Sequence, residues 1–80
     1  MKLLILSGRR KLFEDEASQV TLPGEDGEWS VWDFHQACLY RLRRGWIWVT
    51  QSPKEQKKFW IRGGIARVVS GMLTVLADES

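Results

Sequence analysis

The sequence predicts an all-β protein, a small two-sheet β-sandwich of about eight to ten short strands. Two observations carry this. Gly or Pro falls at positions 8, 23, 24, 27, 45, 53, 63, 64 and 71, so most uninterrupted stretches are strand-sized. The stretches between them alternate in polarity or are rich in Val, Ile and Trp, and no stretch has a strong helical character.

In chain order, Lys2–Ser7 reads as a first strand, too short for a membrane span or a signal-peptide core and closed by Gly8-Arg9-Arg10. Lys11–Glu14 and Gln19–Leu22 are short strands, and Glu28–Val31 follows a Leu22-Pro23-Gly24 turn in which Gly24 and Gly27 are the structural glycines. Cys38–Arg43 alternates, with Cys38, Tyr40 and Leu42 on one face and Leu39, Arg41 and Arg43 on the other. After an Arg44-Gly45 turn, Trp46–Thr50 is apolar on both faces, which predicts a strand covered on both sides. A polar hairpin loop, residues 51–56, leads into Lys57–Arg62, with Phe59 and Ile61 facing the core. Gly63-Gly64 reads as a tight strand junction. Ile65–Val69 and Met72–Leu76 flank Ser70-Gly71, a two-residue hairpin signal.

Eighty residues bound the chain to one domain, 1–80, with a small core. With 44% hydrophobic and 28% charged residues the composition is that of a globular chain. A net charge of +2 is too mild to demand a nucleic-acid or membrane partner. The single Cys38 excludes an internal disulfide and a multi-cysteine zinc site, and its expected state is buried and inert. Five Trp in so short a chain point to the core or to an interface.

Dedicated chemistry is hard to find. His35 is the single histidine, so no His-rich metal site exists, and on an extended segment it and Cys38 would face opposite ways. Glu25, Asp26 and Glu28 lack the ligand number and spacing of a calcium loop. Gly24 and Gly27 are followed by neither Lys-Ser/Thr nor a helix, so no phosphate loop is present. No cofactor is expected, and no nucleophile–base pair suggests an enzyme. One cluster stands out: Arg41, Arg43, Arg44, Trp46, Trp48, Lys57, Lys58, Trp60 and Arg62 fall on three consecutive strands. The alternative function is therefore a small barrel that binds single-stranded nucleic acid on a basic, aromatic sheet face.

Three markers converge in order. The run from Val20 to Trp29, the segment Ile61-Arg62-Gly63-Gly64-Ile65-Ala66-Arg67-Val68, and the run Leu73-Thr74-Val75-Leu76-Ala77-Asp78-Glu79 resemble the signature segments of the N-terminal β-sandwich domain of F-type ATP synthase epsilon subunits. His35 stands where that family has His in a Val-Leu-Pro-Gly-His segment, and Leu42-Arg43-Arg44-Gly45 resembles its Leu-x-x-Gly turn. The chain departs from the pattern at Trp32-Asp33-Phe34, where the family usually has Leu-Pro-Gly, and at Ser30, where it usually has Gly.

The resemblance implies a non-catalytic rotor subunit of the central stalk, packed on the gamma subunit and seated on the polar loops of the c-ring, coupling ion flow to gamma rotation and ATP synthesis. It implies a peripheral position on the cytoplasmic face of the inner membrane. It implies a c-ring contact through Glu28, Trp32 and His35, and leaves surplus tryptophans, Trp46, Trp48 and Trp60, to anchor gamma. Gly24, Gly27, Gly63 and Gly64 are its structural turn glycines. Full-length relatives continue into a two-helix C-terminal domain, whose inhibitory and ATP-binding roles are not carried over to these residues.

Overall fold

The computed structural model describes residues 1–32 and 37–78. Among them the chain forms nine strands: β1 Lys2–Ser7, β2 Arg10–Glu16, β3 Gln19–Gly24, β4 Gly27–Val31, β5 Cys38–Leu42, β6 Gly45–Ser52, β7 Glu55–Ile61, β8 Gly64–Val69 and β9 Met72–Ala77. They are hydrogen-bonded in the order β2-β1-β9-β8-β5-β3-β6-β7, with β4 on β3. The sheet folds over where β5 meets β3, a junction of one residue pair, Gly24 with Leu42. The bend yields two layers, β2-β1-β9-β8-β5 and β4-β3-β6-β7. On the open side Phe13 of β2 meets Phe59 of β7. All the pairings are antiparallel except that of β1 with β9, which runs parallel from Lys2–Met72 to Ser7–Ala77.

The strands form because inward positions alternate with outward ones. Leu3 and Ile5 of β1, Val20 and Leu22 of β3, Ile47 and Val49 of β6, Ala66 and Val68 of β8, and Leu73 and Val75 of β9 are buried. Among the described residues no polar or charged side chain is buried, so the interior depends on apolar burial and the backbone ladders.

Several expectations change. The core contains no tryptophan: it is aliphatic, with Phe13 as its buried aromatic. The second apolar face of β6 is left about two-fifths exposed at Trp46 and Trp48 and is not covered by the described residues, because these two side chains point away from the core. The β6–β7 loop is shorter than the polarity of residues 51–56 suggests, since Ser52 pairs with Glu55 and leaves Pro53-Lys54 as the turn. Gly45 is the first residue of β6 rather than part of the turn before it.

Two backbone positions behave as their spacing predicts. Ser70 and Gly71 both have positive φ, 49° and 76°, the sign pattern of a type I′ hairpin turn. Gly64 has φ +146°, and a Cβ there would overlap Leu76 O and lie 2.9 Å from Ala77 Cα. The β8–β9 ladder therefore closes only over a residue without a side chain.

Candidate docking face

The site is assembled by register. Thr21 of β3 pairs with Trp48 of β6 on one side and Ser30 of β4 on the other, while Trp48 pairs with Lys58 of β7. One outward row thus runs Lys58, Trp48, Thr21, Ser30 across all four strands of the second layer. Next to it, Trp46 pairs with Trp60. Beyond the ladder, Arg44 and Arg62 line a hollow of about 420 Å³ with Trp60. On β4, alternation places Glu28 on the face of Ser30, and Trp32 directly follows the strand in the same phase.

The face is aromatic and open. Trp46, Trp48 and Trp60 are 41%, 42% and 50% exposed, and Trp32 is 60% exposed. Trp46 and Trp60 meet edge to face with centroids 5.2 Å apart, and Trp46 and Trp48 lie 6.5 Å apart. The Lys58 amine sits 4.6 Å from the Trp46 ring centre and 5.5 Å from that of Trp48, within cation–π range of both. Thr21 Oγ1 and Ser30 Oγ share a hydrogen bond of 3.0 Å, which joins the β4 half to the rest. Ser30 has no positive φ, so the serine that replaces the family's usual glycine sits there without backbone strain.

The residues singled out from the sequence divide as follows. Trp46, Trp48 and Trp60 come together, with Glu28 and Trp32 at the β4 side of the same face. His35 lies outside the described residues. Trp29 points the other way and stacks on Tyr40 with centroids 3.6 Å apart. Gly24 and Gly27 close the β3–β4 hairpin, and Gly63 and Gly64 join β7 to β8. Lys58 was legible only as one member of a basic cluster. Its place opposite Trp48 follows from the β6–β7 register, which is set by the two-residue turn together with the one-residue register shift between Thr50 and Ser52.

That basic cluster does not survive folding. Arg41 pairs with Ile65 on the other layer, Arg43 lies in the β5–β6 turn, and Lys57 turns back so that its amine rests 5.5 Å from the Phe13 ring centre. Only Lys58, Arg44 and Arg62 stay with the tryptophans, and the same layer carries acidic Glu28. This is a poor backbone-tracking groove for a polyanion. Among the described residues no group of three or more His, Cys, Asp or Glu could hold a metal ion. Three other hollows are open, one of about 550 Å³ between the β1–β2 turn and Trp60, one of about 400 Å³ between the β3–β4 turn and Tyr40, and one of about 290 Å³ beside Gly64, and no lining includes a histidine or cysteine. No helix among the described residues is long and apolar enough to cross a membrane.

These features define a class: a β-sandwich module whose prominent surface is an open aromatic face. Comparison with known proteins agrees. The family model of the ATP synthase delta/epsilon chain β-sandwich domain matches residues 1–80. The ATP synthase epsilon chain of Bordetella petrii is 36% identical over 76 residues, 95% of this chain and 54% of the relative. That of Maricaulis maris is 38% identical, covering 95% of this chain and 56% of the relative. Among solved structures, a chain of the Euglena gracilis mitochondrial ATP synthase (OSCP/F1/c-ring) superposes with a TM-score of 0.85 at 21% identity, over 94% of this chain and 48% of that one. A chain of the Tetrahymena thermophila ATP synthase central stalk and c-ring gives 0.80 at 12% identity, over 98% and 63%. The chain belongs to the ATP synthase delta/epsilon chain β-sandwich family. It spans about half the length of the curated relatives it matches.

Proposed function

We propose that this chain is a non-catalytic rotor subunit in the central stalk of a rotary ATP synthase, transmitting ion flow through the c-ring to the gamma subunit and so to ATP synthesis. Trp46, Trp48 and Trp60 anchor gamma, and Glu28 and Trp32 on the β4 side, together with His35, meet the polar loops of the c-ring. On this reading it works peripherally, at the cytoplasmic face of the inner membrane.

The observation that carries the proposal is the open tryptophan face on a sandwich of this family. Three half-exposed indoles clustered around Trp46 are costly in water and are the residue type that dominates protein interfaces. An exposed pair between Glu28 and a basic loop residue would add about 1 kcal/mol or less, so affinity rests on the apolar contacts. The dispersal of the basic cluster disfavours the nucleic-acid alternative.

A pull-down with the gamma subunit of the same organism tests the reading. Retention that is lost on replacing Trp46, Trp48 and Trp60 together with Ser is expected; no retention of the unaltered chain would sink it.

A further inference from the structure

We infer that the gamma surface covering this face carries a carboxylate seated on Lys58, between Trp46 and Trp48. The inference rests on the proposed stalk role and deepens it by naming what the partner must present. Lys58 is held in the middle of the apolar patch, its amine 4.6 Å and 5.5 Å from the two indole centres. The ion pairs among the described residues are made by the N-terminal amine, Lys2 and Lys11, so no described carboxylate neutralises Lys58. Its neighbours across the sheet and along β7 are Trp48, Trp60 and Gln56, none of them acidic. Glu28, the described acid on this face, is three strands away. At about 4.8 Å per strand that is roughly 14 Å, beyond the Debye length of about 8 Å at physiological salt.

The rings can hold an ammonium in water. They cannot replace its hydration once a partner covers them. A purely apolar partner would bury an unpaired charge at the centre of the contact, which opposes binding strongly. A partner with a carboxylate there gains a hydrogen-bonded ion pair inside a ring of aromatic side chains that keep water out. Arg44 and Arg62 beside Trp60 extend the positive charge on the β7 side, so the acidic side of the gamma surface lies there.

The test is titration of the full chain with the same organism's gamma subunit, read by tryptophan fluorescence, using Lys58→Arg, Lys58→Met and Lys58→Glu. Affinity for Lys58→Arg within about threefold of the unaltered chain is expected, with a loss of about tenfold or more for Lys58→Met and a larger one for Lys58→Glu. All three should keep the melting curve of the unaltered chain, because the position is on the surface. Gamma binding that is indifferent to Lys58→Met and Lys58→Glu would overturn this inference and leave the stalk reading standing. No gamma binding by the unaltered chain would overturn both. Salt-sensitive quenching by a single-stranded oligonucleotide, lost in Lys58→Glu, together with no response to gamma, would overturn both in favour of a phosphate as the anion on Lys58.

Discussion

Phe13 and Phe59 meet with ring centroids 5.7 Å apart and planes inclined at 60°, joining the free edges of β2 and β7. This contact closes the side of the sandwich that no hydrogen-bonded strand closes. Phe13 is buried and Phe59 partly buried against the core. Phe13→Ala should cost about 3–5 kcal/mol, a large share of the stability of a small domain. Urea unfolding followed by circular dichroism checks it, and a loss under about 1 kcal/mol would show that the side is held in another way.

Gly64 and Gly71 allow steric and conformational costs to be separated. Gly64→Ala places a methyl group against Leu76 O and Ala77 Cα, in backbone that cannot retreat without opening the β8–β9 ladder. Gly71→Ala meets nothing within 4 Å and only has to adopt φ +76°. The expected losses are about 2 kcal/mol or more for Gly64→Ala and about 1 kcal/mol for Gly71→Ala. Equal melting temperatures for the two variants would contradict the close approach at Gly64.

Ser70 is the single described non-glycine residue with positive φ. Asparagine tolerates that conformation better and is favoured ahead of Gly in type I′ turns. Ser70→Asn should therefore stabilise the chain by about 0.5–1 kcal/mol, raising the thermal midpoint. An unchanged or lower midpoint would argue against the turn type.

Acid should weaken the fold through β2. The hydrogen bond from Lys11 Nζ, 2.7 Å from Glu14 Oε1, and the charges of Lys11 and Lys2 hold the Glu14 carboxyl below its ordinary value of 4.5. The Glu16 backbone N–H, 2.7 Å from the Asp15 carboxylate, lowers Asp15 from 3.8. A carboxyl with a depressed folded pKa contributes stability that is present above its unfolded value and lost as pH falls through the folded one. Unfolding midpoints should thus fall as the pH drops below about 4.5, and Glu14→Gln should flatten that slope. A slope unaffected by Glu14→Gln would remove Glu14 as a contributor.

Cys38 is partly rather than fully buried, and desolvation raises its thiol above the ordinary 9.0. Its thiolate fraction near neutral pH is correspondingly small. Alkylation by iodoacetamide at pH 8 should be slower than in the urea-unfolded chain, and equal rates would contradict the burial.

Much of the fold was legible because punctuation and alternation are local. Gly and Pro fall in the turns or at the strand ends beside them, and pairs such as Phe59 and Ile61, or Cys38 and Leu42, reveal a common face without any tertiary information. What the pattern cannot show is whether a second layer lies over a given face. Trp46 and Trp48 alternate with Ile47 and Val49, and the two sets look equally apolar in the sequence. Which set the chain itself covers depends on β6 lying in an outer layer, between β3 and β7. The candidate site was half visible for a related reason. The tryptophans were evident by type, but Lys58 separates from Lys57, and Arg44 from Arg41, only through strand register and the bend at β5–β3.

The parallel pairing of β1 with β9 makes assembly of this domain non-vectorial. Residues 2–7 emerge from a ribosome well before residues 72–77, yet one of their two edges stays unpartnered until those residues are available. Its closure is the most non-local in the sheet, and such closures slow folding. Until then the apolar β1 is an exposed edge open to wrong partners. Chains halted before β9 should be the species that chaperones hold and proteases remove.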